Sequence, residues 1–162
     1  YISLTMDSVG VLNDLAGGVE VEVLHDFKGI DDTLVKGEKV ILRGEHALTY
    51  IRTRAGLEDS TNATRMKRQQ QYVNALHSKL KYCIENDNDF IVNTSLEMAE
   101  YIVSDRSVTQ LQDLMEKFNN YEFTGILNID GEAKVGEEFL EFYPDENALK
   151  KLVIDTFYLP QE

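Results

Sequence analysis

The sequence predicts an α/β layered fold, because short strand signals alternate along the chain with amphipathic helical patterns. Two stretches carry most of the weight. Val19, Val21 and Val23 alternate with Glu20 and Glu22, the period-two signature of a half-buried strand, and residues 64–85 repeat apolar side chains at helical spacing. At 162 residues with 43% apolar composition, the chain fits a single domain over residues 1–162 and has enough apolar material for a core.

Ile2 and Leu4 alternate with polar neighbours, which predicts a first strand. Asp7 or Ser8 then caps a short helix with Val9, Leu12 and Leu15 inward, stopped by Gly17-Gly18. After the valine strand and a polar loop, Val40-Ile41-Leu42 reads as a short strand or turn leading to Gly44, and residues 45–53 as a short helix. The helix over 64–85 is the strongest signal. At about 100° per residue, Met66, Val73, Leu76, Leu80, Cys83 and Ile84 form a core-facing stripe, with Arg65, Arg68, Gln69 and Tyr72 on its flank.

Helices are expected over 89–103 and 107–118, the second opened by a Ser107/Gln110 capping box. Residues 121–129 and 138–143 read as strands around an Asp130-Gly131 turn, and Pro144-Asp145 opens a last helix. The opening YISLTMDS runs from a strand straight into a helix cap, an abrupt start that predicts a chain beginning inside a larger fold.

The formal net charge of −13 argues against general nucleic-acid binding and against a polybasic grip on anionic lipid. Positive charge is instead concentrated. Residues 43–69 hold six cations against three anions, and residues 42–71 hold five of the six arginines. A guanidinium cluster in an anionic protein points to an anionic ligand, since the planar fork matches phosphate or carboxylate oxygens bidentately. Solvated helix arginines paired with Glu45, Glu58 or Asp59 are the plainer alternative.

Arg65 and Arg68 share a helix flank, whereas Arg52 and Arg54 share a side only where the backbone between them is extended. Gln69 can orient a phosphate oxygen or cap the seam; Asp59 and Asn62 can support the arginines, approach a metal or sit in an exposed loop. Tyr50 and Tyr72 read as packing residues. His25, His46 and His77 have no metal-ligand spacing with one another or with the lone Cys83.

In these residues the chain resembles the LytR-CpsA-Psr family of envelope phosphotransferases. The resemblance lies in Tyr1, Gly17-Gly18-Val19, Gly37, the run Leu42-Arg43-Gly44-Glu45-His46-Ala47-Leu48-Thr49-Tyr50-Ile51-Arg52-Thr53-Arg54, and Arg65-Met66-Lys67-Arg68-Gln69. The long composite motif is specific, and the Pro-Asp-Glu turn with its closing helix extends the likeness over nearly the whole chain. One departure is Asn62, where family members usually carry an Asp.

The resemblance implies a three-layer α/β/α sandwich with a mixed central sheet, apparently truncated at its N-terminus. It implies transfer of a teichoic acid or capsule-type glycopolymer from a polyprenyl-pyrophosphate carrier to peptidoglycan, at the extracytoplasmic face of the membrane. Arg52, Arg54, Arg65, Arg68 and Gln69 would bind the pyrophosphate, Asp59 and Asn62 would support them, and Mg2+ would be the cofactor. The general base, the magnesium ligands and a membrane anchor are expected in an upstream half without counterpart here, which leaves this chain inactive and prone to self-association by itself. A non-catalytic envelope module binding polyprenyl phosphates or anionic polymer is the rival reading; a transcriptional regulator would need a basic surface that this charge balance does not supply.

Overall fold

The computed structural model describes residues 1–57 and 62–158 and divides into two compact units, Tyr1–Phe123 and Thr124–Glu162. In the first, β1 (Ile2–Leu4) leads into α1 (Asp7–Leu15), β2 (Val19–Glu22) and β3 (Lys39–Leu42). α2 (Gly44–Arg52), the long α3 (Asn62–Asn86) and α4 (Phe90–Met98) follow, then a 3-10 turn (Ala99–Tyr101), β4 (Ile102–Ser104) and α5 (Val108–Phe118). The second unit holds β5 (Gly131–Val135), β6 (Leu140–Pro144) and α6 (Glu146–Phe157).

The chain is a mixed α/β fold, as its sequence predicts. Its strands pair within the described residues as three antiparallel ladders, β1 with β4, β2 with β3 and β5 with β6, where one mixed sheet was expected. β2–β3 and β5–β6 are joined directly, without a helical crossover, and such connections yield antiparallel pairs. β1 finds a partner within the chain, at Ile102–Ser104.

The core forms where β2 meets α2 and α3. Val19, Val21 and Val23 turn inward with Phe27, Leu34, Leu42, Leu48, Tyr50 and Tyr72, while Glu20 and Glu22 face solvent. Gly18 makes the entry to β2 possible: its φ is +90°, and a Cβ there would stand 2.6 Å from Ile41 Cγ2. Gly10 lets α1 approach α2, since a Cβ on it would meet the Gly44 carbonyl oxygen at 3.3 Å.

α1 buries Ser8, Gly10 and Asn13, whereas Val9, Leu12 and Leu15 are only half-buried. Asn13 explains the difference: its Nδ2 donates to the Leu42 carbonyl at 2.8 Å and its Oδ1 accepts from the Tyr72 hydroxyl at 3.0 Å. A fully bonded amide can occupy a core position that hydropathy reserves for leucine. Beside it, Asp14 Oδ1 accepts from Gly44 N at 2.8 Å and so caps the start of α2.

Three further expectations differ from the structure. The helix expected over 89–103 ends at Met98, because the β-branched Ile102 and Val103 pair with β1. Residues 121–129 form no strand among the described residues, and Gly131 lies inside β5 opposite Pro144. The hairpin turn lies instead at residues 136–139, closed by Gly136 N donating to the Phe139 carbonyl at 2.8 Å. The Ser107/Gln110 capping box forms as expected, and Asp145 caps α6 through Asn147 N and Ala148 N.

Candidate functional site

The arginine motif is built around the C-terminal end of α2 and the first turns of α3. A helix leaves its last carbonyls without partners inside the helix, and side chains or water must satisfy them. Here α3 supplies the side chains. Arg68 Nε donates to the Tyr50 carbonyl at 3.0 Å, Arg68 Nη2 donates to the Thr53 carbonyl, and Gln69 Nε2 donates to the Ile51 carbonyl at 3.2 Å.

Arg68 is fully buried, its guanidinium 5.4 Å from the centre of the Phe27 ring, which stacks in turn on Tyr50. Charge-assisted bonds to carbonyls and the ring face stabilise the cation there. This changes the expected inward face at the start of α3, while Leu76, Leu80, Cys83 and Ile84 of the expected stripe are half-buried and Leu76 packs against the core. Thr64, Arg68 and Tyr72 are its buried residues, while Met66 and Val73 from the expected stripe are 44% and 41% exposed.

Arg52 and Arg54 sit in the segment that Arg68 and Gln69 hold. Arg52 is the last residue of α2, and both arginines are exposed. Between them Thr53 leaves the helix with φ −60° and ψ 131°, close to polyproline II rather than to a pleated strand, so the backbone does not by itself put the two side chains on one side. Arg65 is half-buried, with Nη2 donating to Asn62 Oδ1 at 2.6 Å and Nε lacking a partner among the described residues.

Thus Arg52 and Arg54 lie at one held helix end, Arg65 pairs with Asn62, and Arg68 and Gln69 point at backbone. Asp59 lies outside the described residues. Among those residues no group of three or more His, Cys, Asp or Glu side chains gathers to hold a metal ion.

Two tyrosines tie the site to the core. Burial pushes the Tyr50 phenol above its ordinary range, and its hydroxyl donates to Gln71 Oε1 at 2.6 Å. Burial pushes Tyr72 further up, and the Asp14 carboxylate adds to it.

An apolar cavity of about 250 Å3 lies among α1, α4, α5 and the β1–β4 ladder, lined by Ile2, Leu4, Met98, Ile102, Leu111 and Met115 among others, with Arg106 the one arginine on its wall among the described residues. The apolar stripes of the helices were visible in the sequence, but stripes alone do not separate a filled core from a cavity. Sequence reading also missed the cluster in which His46 Nε2 lies 3.1 Å from Asp31 Oδ2 and 2.9 Å from Thr33 Oγ1. No spacing signal marks it, because a loop and a helix bring the three together.

A transcriptional regulator from Enterococcus faecalis has a similar structure, with TM-score 0.72 and 22% identity over 93% of this chain and 55% of that one. Bacillus subtilis TagV matches with TM-score 0.68 and 24% identity, over 99% of this chain and 65% of that one. Bacillus subtilis TagT matches with TM-score 0.66 and 17% identity, over 95% and 58%; TagT has also been solved bound to LI-WTA. At these identities the likeness establishes the fold, and the chain spans between 55% and 65% of the length of the first two. No curated protein matches the sequence. The model of the LytR_cpsA_psr family matches residues 1–151, and the chain belongs to that family.

Proposed function

We propose that this chain forms the pyrophosphate-holding part of a transferase that moves an anionic glycopolymer, of teichoic acid or capsule type, from a polyprenyl-pyrophosphate carrier to peptidoglycan. The observation that supports it most is the capping of α2 by Arg68 and Gln69, which leaves Arg52 and Arg54 exposed on a fixed helix end in a member of this family. Exposed guanidinium forks bind pyrophosphate oxygens bidentately.

As an acceptor hydroxyl attacks the phosphorus next to the glycan, the bond from that phosphorus to the bridging oxygen breaks and polyprenyl phosphate leaves. Negative charge grows on the departing phosphate, where Arg52 and Arg54 would stabilise it; preorganised charge of this kind is the main catalytic device in phosphoryl transfer. Arg68 and Gln69 act as positioning residues. The proton of the acceptor hydroxyl would pass to a base outside the described residues.

The apolar cavity would take part of the polyprenyl chain. The carrier would put the reaction at the membrane, and a peptidoglycan acceptor at its extracytoplasmic face. No helix among the described residues is long and apolar enough to cross a membrane, so attachment would come through another segment or through the lipid itself.

The test is transfer from a lipid-linked glycopolymer to peptidoglycan by the protein with its complete catalytic domain. Arg52→Ala and Arg54→Ala should each slow transfer by about 10²–10³-fold, with lysine rescuing poorly. Transfer at the wild-type rate in both variants overturns the reading. Carrier binding without transfer by the wild type leaves the non-catalytic envelope module in its place.

A further inference from the structure

A second cleft, of about 650 Å3, lies between the C-terminal half of α3 and the segment that follows α5. Its α3 wall carries His77, Lys81, Tyr82 and Glu85, and the opposite wall carries Tyr121, Glu122 and Phe123. Along α3, Lys81 stands 13 residues beyond Arg68, roughly 20 Å at the rise of an α-helix. The cleft is therefore separate from the arginine cluster.

We propose that this cleft binds an uncharged glycan strand of N-acetylated sugars; on the transferase reading above, that strand is the acceptor. Exposed rings next to hydroxyl-matching polar groups carry the inference. Tyr82 is 59% exposed, Tyr121 57% and Phe123 40%, so three aromatic side chains offer surface at one cleft. Ring faces of this kind pack against the C–H face of a pyranose, and a phenol adds a polar handle at the edge. Glu85 and Glu122 accept hydrogen bonds from sugar hydroxyl or acetamido N–H groups, and Lys81 donates to ring or carbonyl oxygens.

The second wall is braced rather than left loose. Phe123 stacks on His77 with ring centres 4.4 Å apart and 30° between planes, Tyr121 lies 5.5 Å from Phe118, and Tyr121 N donates to the Phe118 carbonyl at 3.0 Å. A wall fixed before binding lowers the ordering cost that weakens carbohydrate recognition. Its volume fits more than a single sugar ring.

Charge selects between the two polymers that such a reaction brings together. Two carboxylates stand against one ammonium, in a chain of net charge −13, so a polyphosphate backbone meets repulsion where a neutral glycan does not. The anionic donor is thereby directed to the arginines and the uncharged strand to the cleft.

The experiment is titration of the protein with chitotetraose, a neutral oligomer of N-acetylglucosamine, followed by NMR, with a poly(glycerol phosphate) oligomer as the anionic probe. Chitotetraose should bind, Tyr82→Ala and Tyr121→Ala should each weaken it by about threefold to tenfold, and the anionic oligomer should bind more weakly. Thermal melts of these variants should stay at the wild-type midpoint, since both rings are exposed, and Glu122→Gln should weaken chitotetraose without removing a ring. Absence of chitotetraose binding, unchanged affinity in both tyrosine variants, or tighter binding of the anionic oligomer overturns the proposal.

A parallel titration with a polyprenyl pyrophosphate separates this proposal from the functional reading on which it rests. Loss of prenyl pyrophosphate recognition with chitotetraose binding retained sinks the transferase and keeps the glycan cleft. The reverse pattern sinks the cleft alone.

Discussion

Replacing Arg68 and replacing Arg52 should have opposite consequences. Arg68 is buried and donates to the carbonyls of Tyr50 and Thr53, so Arg68→Ala removes two charge-assisted bonds and strands both acceptors, costing about 3–5 kcal/mol of stability. Arg68→Lys should recover only part, because an ammonium cannot span both carbonyls. Arg52 is exposed, and Arg52→Ala should stay within about 0.5 kcal/mol of wild type. Urea titration of the three variants checks this; equal stability of Arg68→Ala and wild type would mean that the guanidinium does not hold the end of α2. The sequence could flag these arginines as a cluster but could not divide their labour, since helical spacing puts Arg65 and Arg68 on one flank without saying that the flank is buried. Hydropathy assigned core positions to Met66 and Val73, and it has no means of valuing an arginine whose Nε and Nη2 find backbone carbonyls.

α3 is fastened to α1 by Tyr72, whose hydroxyl donates to the buried Asn13. Burial raises the Tyr72 phenol, so its contribution is complete below the unfolded value of about 10 and is lost as pH rises through the higher folded value. Stability should therefore fall as pH climbs above about 10, and Tyr72→Phe should flatten that fall while costing about 1–3 kcal/mol at neutral pH through the orphaned amide oxygen. Denaturation midpoints between pH 8 and 11.5 measure both; an alkaline slope unchanged in Tyr72→Phe contradicts the assignment. At α5 the Ser107/Gln110 box makes Ser107→Ala worth about 1 kcal/mol in the same assay. That helix start was legible because the box is a local signature. The end of α4 was not, since Ile102 and Val103 become β4 only by meeting Leu4 and Ser3 about a hundred residues away in sequence, a long-range pairing that no local window contains. The turn misplaced at Asp130-Gly131 has the same origin: its dipeptide is a sound turn signal, and the pairing of Gly131 with Pro144 overrides it.

The alternation of strands and helices, the excess of acid and the arginine motif were enough to reach the α/β fold and the family, because each is a property of composition or of contiguous residues. What the sequence could not yield is how surfaces are left. In the unit spanning Thr124–Glu162, Val135 is 88% exposed, Phe139 74% and Phe157 77%, and such side chains favour association when nothing covers them. Light scattering of the purified chain should report a mass that grows with concentration; a monomer at every concentration would contradict it.

Binding of a polyprenyl pyrophosphate, measured by calorimetry on wild type, Arg52→Ala, Arg54→Ala and Lys67→Ala, tests the division between holding and grasping arginines most directly. Arg52 and Arg54 stand on the held end of α2, whereas Lys67 is an exposed cation of the same helix as Arg68 with no part in that arrangement. The account predicts at least tenfold weaker binding for each of the first two variants, at unchanged stability, and near wild-type affinity for Lys67→Ala. Equal losses in all three variants would mean that only general positive charge matters, and no loss at Arg52 or Arg54 would mean that the pyrophosphate is not held there.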